Sequence, residues 1–496
     1  MRTLRLRPIL ASLLGLALAA ACDPSKPDGS DGTGEAPPPA TPPATGGSSG
    51  TTPGPSGGSS GAPADNHGGG DSEAPIPYVK FDVNHVVSTG QSNSVAHEAR
   101  PPITSTQPFK NLMFDVGVMT SGVCEREGCR TYEKPSGFVP LVEGDTFWYP
   151  VETMSSGLAN EATLLAKSKL NETDHQVLVS LAGRNGLTYW CLRAGGCNFL
   201  DPSYLNAFDE NMKQVTDGKT LSAALGKSYV VRMVTAIHGE SDDFAYATNS
   251  QEFPLDGTDG TPRSIKSYGD GLIEWQKDYE KGVKAITGQT QAVPLLISQF
   301  SGWNDIATSA VAQMQYEAHV RSAGKVVLVT PAYTLDWAPD CRHYTAKGER
   351  QLGEYFGKAY ARIVFEGRRW EPVRPTKVTH AGAVITARYT VPSPPLVLDT
   401  QRVMDPGSYG FEAVDAAGAR LTITSVALAG PDTVTITLSA PVPTGAHLRY
   451  AYTGVPRSCP GPFVGPRGNL RDSDPTPSQY GYELYNWGVH FDVTVE

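Results

Sequence analysis

Six stretches of the chain are continuous apolar runs with almost no polar alternation: Val83–Ser88, Leu112–Val116, Val177–Ala182, Tyr229–Ile237, Pro294–Gln299 and Lys325–Thr330. A strand with one wet face alternates apolar and polar residues, so runs of this kind belong to a largely parallel sheet covered on both faces. Helical patterns fall between them, at Ser264–Thr287, Ala307–Ala323 and Ala346–Phe365. Strands alternating with helices predict an α/β domain, a three-layer α/β/α sandwich spanning residues 76–373. In such sheets ligands bind beyond the carboxyl ends of the strands, so the residues directly after each run are where chemistry is to be sought.

The flanks have a different texture. From residue 374 to 496 the apolar runs are short (Gly382–Val391, Leu421–Val426, Thr433–Leu438, His447–Tyr452) and broken by Gly and Pro, which predicts an appended all-β sandwich domain. At the other end, MRTLRLRPILASLLGLALAAAC is a basic start, a short apolar run and small residues ending at Cys22. It is too short for a membrane span and reads as a signal peptide over 1–21. Its Leu18-Ala19-Ala20-Ala21-Cys22 ending resembles a bacterial lipobox, with Ala19 where Leu is usual, and implies a lipidated Cys22; ordinary secretion is the alternative. Residues 22–75 hold Pro, Gly, Ser, Thr and a few acids, too little to bury against the entropy of ordering, and read as a disordered tether. The G-x-S-x-G matches Gly46–Gly50 and Gly57–Gly61 fall inside it, with neither strand nor helix around them, and carry no nucleophile. An exported lipoprotein of the cell envelope is expected, touching the membrane only through its anchor, and monomeric. The net charge of -10 argues against a nucleic-acid partner.

Apart from Cys22 there are Cys124, Cys129, Cys191, Cys197, Cys341 and Cys459, an even number that suggests disulfides in an exported chain. Proximity favours Cys124–Cys129 and Cys191–Cys197, leaving Cys341 for Cys459; buried free thiols are the alternative. No paired C-x-x-C or H-x-x-x-H spacing favours a metal.

Four motifs follow predicted strands. Gly90-Gln91-Ser92-Asn93 ends the first, Gly183-Arg184-Asn185-Gly186 the third and His238-Gly239-Glu240-Ser241-Asp242 the fourth, while Asp340-Cys341-Arg342-His343 lies between the last strand and a strong helix. A serine nucleophile needs a base, and the base an orienting carboxylate; Ser92, His343 and Asp340 supply those types. Acidic residues packed at the end of a buried strand are costly unless paired or functional, so the Glu240 run is either a site or a structural network.

In order and context these motifs resemble the SGNH hydrolase superfamily, and within it the sialate O-acetylesterase-like carbohydrate esterases, over roughly residues 80–365. The resemblance implies Ser92 as nucleophile, His343 as general base and acid, and Asp340 as the group that orients it. It implies an oxyanion hole of the Ser92 and Gly186 backbone N–H groups and a side chain at His238, where the family usually has Gln. Gln91, Asn93, Gly239 and Glu240 are implied as supporting residues, with Glu240 bracing the serine loop. Removal of O-acetyl groups from a carbohydrate through an acyl-serine is the implied activity, with no metal or organic cofactor. A lipase or polyester esterase with the same triad, or a surface glycan-binding protein with none of the activity, are the other readings. Trp148, Tyr189, Trp190, Trp303 and Trp337 lie near these motifs and could stack on sugar rings or pack the core.

Overall fold

The computed structural model describes residues 74–121, 131–145, 150–196, 205–303 and 306–496. The expected signal, Cys22 and nearly all of the tether lie outside these residues, as do Cys124, Cys129, Cys197 and Trp148.

The main sheet contains β1 (Val83–Gly90), β2 (Leu112–Phe114), β3 (Phe138–Pro140), β4 (Val177–Gly183), β5 (Tyr229–Ile237), β6 (Leu295–Gln299) and β7 (Val326–Pro331). Its order is β3-β2-β4-β1-β5-β6-β7. Every pairing is parallel except β2 with β3. The sequence expectation lacked β3, a three-residue edge strand too short to show a period.

The described helices longer than one turn and a half are α1 (Met154–Leu170), α2 (Ala207–Ala224), α3 (Glu240–Ala247), α4 (Tyr268–Thr287), α5 (Ala310–Arg321) and α6 (Ala346–Tyr360), the last running on into a π turn at Ala361–Phe365. Successive side chains of a strand point to opposite faces, and β1 shows what that demands here. Val86 packs with Val179, Met233, Leu296 and Val327 against α1 and α6. Val87 packs with Val231, Val234, Leu295 and Leu328 against α2, α4 and α5. Both faces are dry, which is the physical reason the strands read as unbroken apolar runs.

Two glycines set how closely α1 and α6 approach. A Cβ on Gly157 would collide with the Arg350 carbonyl oxygen, and one on Gly353 with that of Met154. The backbones therefore touch, and α6, whose N-terminus follows His343, has its height above the sheet set by this seam. Thr345 caps α6, its hydroxyl accepting from the Gly348 N–H at 3.2 Å.

After Val373 the chain forms two antiparallel four-stranded sheets. One joins β8 (Arg374–Ala381), β9 (Val384–Thr390), β13 (Thr433–Leu438) and β12 (Ile423–Leu428); the other joins β11 (Arg420–Leu421), β10 (Phe411–Val414), β14 (His447–Tyr450) and β15 (Phe491–Thr494). Ile385, Val434 and Ile436 of the first share one apolar core with Phe411, Leu448, Tyr450 and Phe491 of the second. The two regions meet through hydrogen bonds as well as apolar contact. Gln299 exchanges a pair with the His490 backbone at 2.8 and 2.9 Å, and Tyr333 donates to the Gly488 carbonyl at 2.7 Å.

Gly353→Ala is expected to lower stability by about 1–3 kcal/mol or more, because both colliding groups are backbone and cannot turn aside; urea denaturation measures it. A second expectation concerns pH. Burial, with Glu354 beside it, pushes Glu161 up to about 8, and burial pushes Glu354 up to about 7. Burial pushes His85, His175 and His490 down to about 3. Carboxyls raised in this way contribute stability that is complete below their unfolded values and lost as pH rises through the folded ones. Histidines lowered in this way contribute stability that is complete above an unfolded value of about 6.5 and lost as pH falls toward the folded one. Above pH 6.5 the carboxyls govern, so Tm is expected to fall between pH 6.5 and 8.5, and Glu161→Gln to flatten that fall in scanning fluorimetry.

Candidate active site

Parallel pairing brings the carboxyl ends of β1, β4, β5, β6 and β7 to one edge of the sheet, and the four motifs meet there. β1 ends at Gly90, with φ +132°, where any Cβ would collide with the Ile237 carbonyl oxygen at the end of β5. Only glycine fits, and the chain leaves the strand as the tight turn 91–98 that carries Ser92.

Asn93, buried, joins this turn to two other segments. Its amide donates to Glu240 Oε1 at 2.6 Å and to the Arg342 carbonyl at 3.1 Å, and its own carbonyl accepts the Tyr344 N–H at 3.3 Å. The residue after Ser92 is thus clamped to both residues flanking His343. Gln91 adds a strut, its Oε1 accepting the Ser241 N–H at 3.1 Å.

Between β7 and α6 the chain makes a narrow loop, closed by Ala338 N–H to the His343 carbonyl at 2.8 Å and Thr345 N–H to the Asp336 carbonyl at 3.0 Å. Asp340 Oδ1 accepts the Arg342 and His343 N–H groups, each at 3.1 Å, while Oδ2 lies 2.5 Å from His343 Nδ1. Burial raises the Asp340 carboxyl, but the His343 ring and these N–H groups outweigh it and hold the group well below the usual carboxylate range. An ionised Asp340 accepts from His343 Nδ1–H, which keeps that proton on Nδ1 and leaves Nε2 as the nitrogen able to accept a proton. At the loop's tip Cys341, with φ +62°, is bonded to Cys459 of the β region, Cα to Cα 4.6 Å. Cys191 is also disulfide-bonded.

One histidine of this site escaped the sequence reading. His97 lies on the serine turn, where its N–H donates to the Ser92 carbonyl at 3.1 Å, and its ring packs on His343 with centroids 4.9 Å apart. Its Nδ1 is 3.1 Å from Glu98 Oε1. A lone histidine five residues beyond a serine carries no sequence signal; only the fold brings it to the base.

His238, expected as an oxyanion donor, has both ring nitrogens facing protein groups. Nε2 faces two acceptors, the Leu187 carbonyl at 3.1 Å and Asp242 Oδ2 at 3.6 Å, so the ring proton resides there, and Nδ1 is 3.0 Å from the Tyr268 hydroxyl. Burial pushes its pKa down to about 4, against a small upward pull from the Leu187 carbonyl, and both nitrogens are committed inside the core. The rest of the run is a hub. Gly239 has φ +148°, Glu240 holds Asn93, Asp242 accepts the Tyr189 N–H at 2.9 Å and Asp243 accepts the Ser309 hydroxyl at 2.6 Å. Each of these acids joins the run to another segment.

Beside the serine turn, the Arg184 N–H donates to the Gly90 carbonyl at 3.0 Å, and a Cβ on Gly183 would collide with the Ser94 hydroxyl. Gly186, with φ +67°, is exposed at the head of this turn, next to the half-buried Asn185. Of the aromatic candidates, Tyr189 and Trp303 are buried and belong to the core; Trp190 and Trp337 are half-buried.

What the fold and this edge of the sheet define is an α/β protein with a carboxylate-oriented histidine clamped beside a serine turn. No protein-family model and no curated protein sequence matches the chain. Among solved structures it is similar to a carbohydrate acetylesterase of Xanthomonas citri, at 11% identity and a TM-score of 0.47 over 83% of this chain and 80% of that one. It is also similar to a protein of Arabidopsis thaliana (15% identity, TM-score 0.33, 56% and 97% of the two chains) and to a carbohydrate acetylesterase of Sinorhizobium meliloti (12%, 0.26, 56% and 99%).

Removing the clamp tests its weight. Asn93→Ala deletes three hydrogen bonds and leaves the Glu240 carboxylate without its donor, an expected loss of about 2–4 kcal/mol in urea denaturation. Asn93→Asp sets a second carboxyl against Glu240, whose pKa burial already raises. Its destabilisation is expected to be smaller at pH 5 than at pH 7, because one shared proton relieves the repulsion.

Proposed function

We propose that the protein is a serine esterase that removes O-acetyl groups from a carbohydrate, acting at the cell envelope where a lipidated Cys22 tethers it. The observation that carries this reading is the Asn93 clamp, which sets the Ser92 turn against the loop in which Asp340 orients His343.

In this reading His343 Nε2 takes the Ser92 proton as Oγ attacks the acetyl carbonyl carbon. The resulting imidazolium is stabilised by ionised Asp340. The oxyanion is met by the backbone N–H groups of Ser92 and Gly186, and Asn185 replaces His238 as the side-chain donor, since it lies on the turn packed against Gly90. Collapse breaks the bond to the sugar oxygen, which leaves with the proton from His343. Water, deprotonated by the same nitrogen, then attacks the acetyl-serine; acetate leaves and the proton returns to Ser92 Oγ.

Acetate release from 4-nitrophenyl acetate and from acetylated polysaccharides tests the reading. Ser92→Ala and His343→Ala are each expected to lower kcat by about 10⁶-fold, and Asp340→Asn by about 10⁴-fold. Asn185→Ala is expected to lower kcat by about 10²-fold with KM little changed, the mark of a contact made in the transition state. Turnover by Ser92→Ala equal to that of the unaltered chain would overturn it.

A further inference from the structure

The loop 453–466 belongs to the β region by sequence and to the candidate active site by contact. Gly454 donates its N–H to the Ala307 carbonyl at 2.8 Å, and a Cβ on it would stand 3.1 Å from the Trp303 indole nitrogen; both partners follow β6. Cys459 is bonded to Cys341, between Asp340 and His343. A Cβ on Gly461 would lie 3.4 Å from the Trp337 ring, which packs edge-on against Tyr344, with centroids 4.7 Å apart. Three anchors therefore fasten one loop beside the carboxyl ends of β6 and β7.

The loop also leaves large apolar groups in water: Val455 at 58% exposure, Phe463 at 62% and Val464 at 42%. Met404, at 54%, joins them, its N–H donating to the Pro462 carbonyl at 2.9 Å. The backbone beneath is stiff, with Pro456, Pro460, Pro462 and Pro466 and a disulfide. An apolar crest this exposed is a cost in water unless something covers it, and a stiff crest loses little entropy when it is covered.

We propose that this crest is a substrate-binding wall, which receives the apolar C–H faces of successive sugar rings. On this inference, which rests on the esterase reading for its chemistry, the substrate is an acetylated polysaccharide chain, not a free acetylated sugar. The shape favours a sugar chain over an acyl chain: apolar tails are held in concave pockets that enclose them, whereas a protruding aromatic flanked by aliphatic steps offers flat contact on one side and leaves the hydroxyl rim of the sugar in water. The Cys341–Cys459 bond ties the loop that carries these groups to the loop of His343, which is what links the crest to the reacting centre.

The test uses the full chain carrying Ser92→Ala, so that substrate is held and not consumed. Its Kd for acetylated xylan, measured by depletion, is expected to rise about tenfold on adding Phe463→Ala and to be retained with Phe463→Trp. In chains with Ser92 intact, the ratio of kcat/KM on acetylated xylan to that on 4-nitrophenyl acetate is expected to fall by a similar factor with Phe463→Ala. Unchanged Kd and unchanged ratio overturn the proposal, as does Phe463-dependent sedimentation with anionic phospholipid vesicles in place of binding to xylan. If Phe463-dependent binding to xylan is found while no Ser92-dependent turnover occurs, the wall stands and the esterase reading falls.

Discussion

Asn93 makes one site out of segments that lie far apart in the chain. A side-chain amide offers two donors and an acceptor in one plane, and here all are used: on the Glu240 carboxylate, on the carbonyl before His343 and on the N–H after it. No shorter or simpler side chain could reach from the β1 turn to both the β5 end and the β7–α6 loop. Because the amide is buried, each bond it lost would leave a dry polar group behind, and that penalty, more than the bonds' own strength, holds the arrangement.

The Asp340–His343 loop is fixed from two further directions. Behind it, Gly157 and Gly353 let α6 press directly on α1, so the helix starting just after His343 has no room to slide. In front, the Cys341–Cys459 bond and the Trp337 contact tie it to the β region. That region is therefore more than an appendage. His490, just before β15, meets the main sheet, the 453–466 loop is bonded to the Asp340–His343 loop, and Gln299 and Tyr333 bind the region's backbone from the α/β side.

Electrostatics divides the candidate site into a dry floor and a partly exposed rim. His238 and Asp242 are buried in the floor; burial pushes the first down to about 4 and the second up to about 7. His238 is therefore held neutral, and Asp242 sits far less readily ionised than an exposed carboxyl; both act as hydrogen-bonding struts. Asp340, partly exposed and bound to two N–H groups and an imidazole, stays ionised.

Unbroken apolar runs such as YVVRMVTAI and VLVSLAG by themselves determined a parallel sheet dry on both faces, because no half-wet strand tolerates them, and hence the edge at which chemistry could gather. The spacing of Asp340 and His343 was enough to join the two through one short loop, and the count of cysteines pointed to the Cys341–Cys459 pair. Beyond that range the sequence was silent. His238 had the chemistry of an oxyanion donor on paper; the contacts of its ring, with the Leu187 carbonyl and the Tyr268 hydroxyl, left no trace in the sequence. His97 and the Phe463 crest had no local pattern at all, since ring contacts between distant segments and exposure at a loop tip leave no periodic trace. Periodicity records which side of an element is buried, whereas the partners of a polar side chain depend on where other segments end. That was decided only when β1, β5 and β7 came together at one edge.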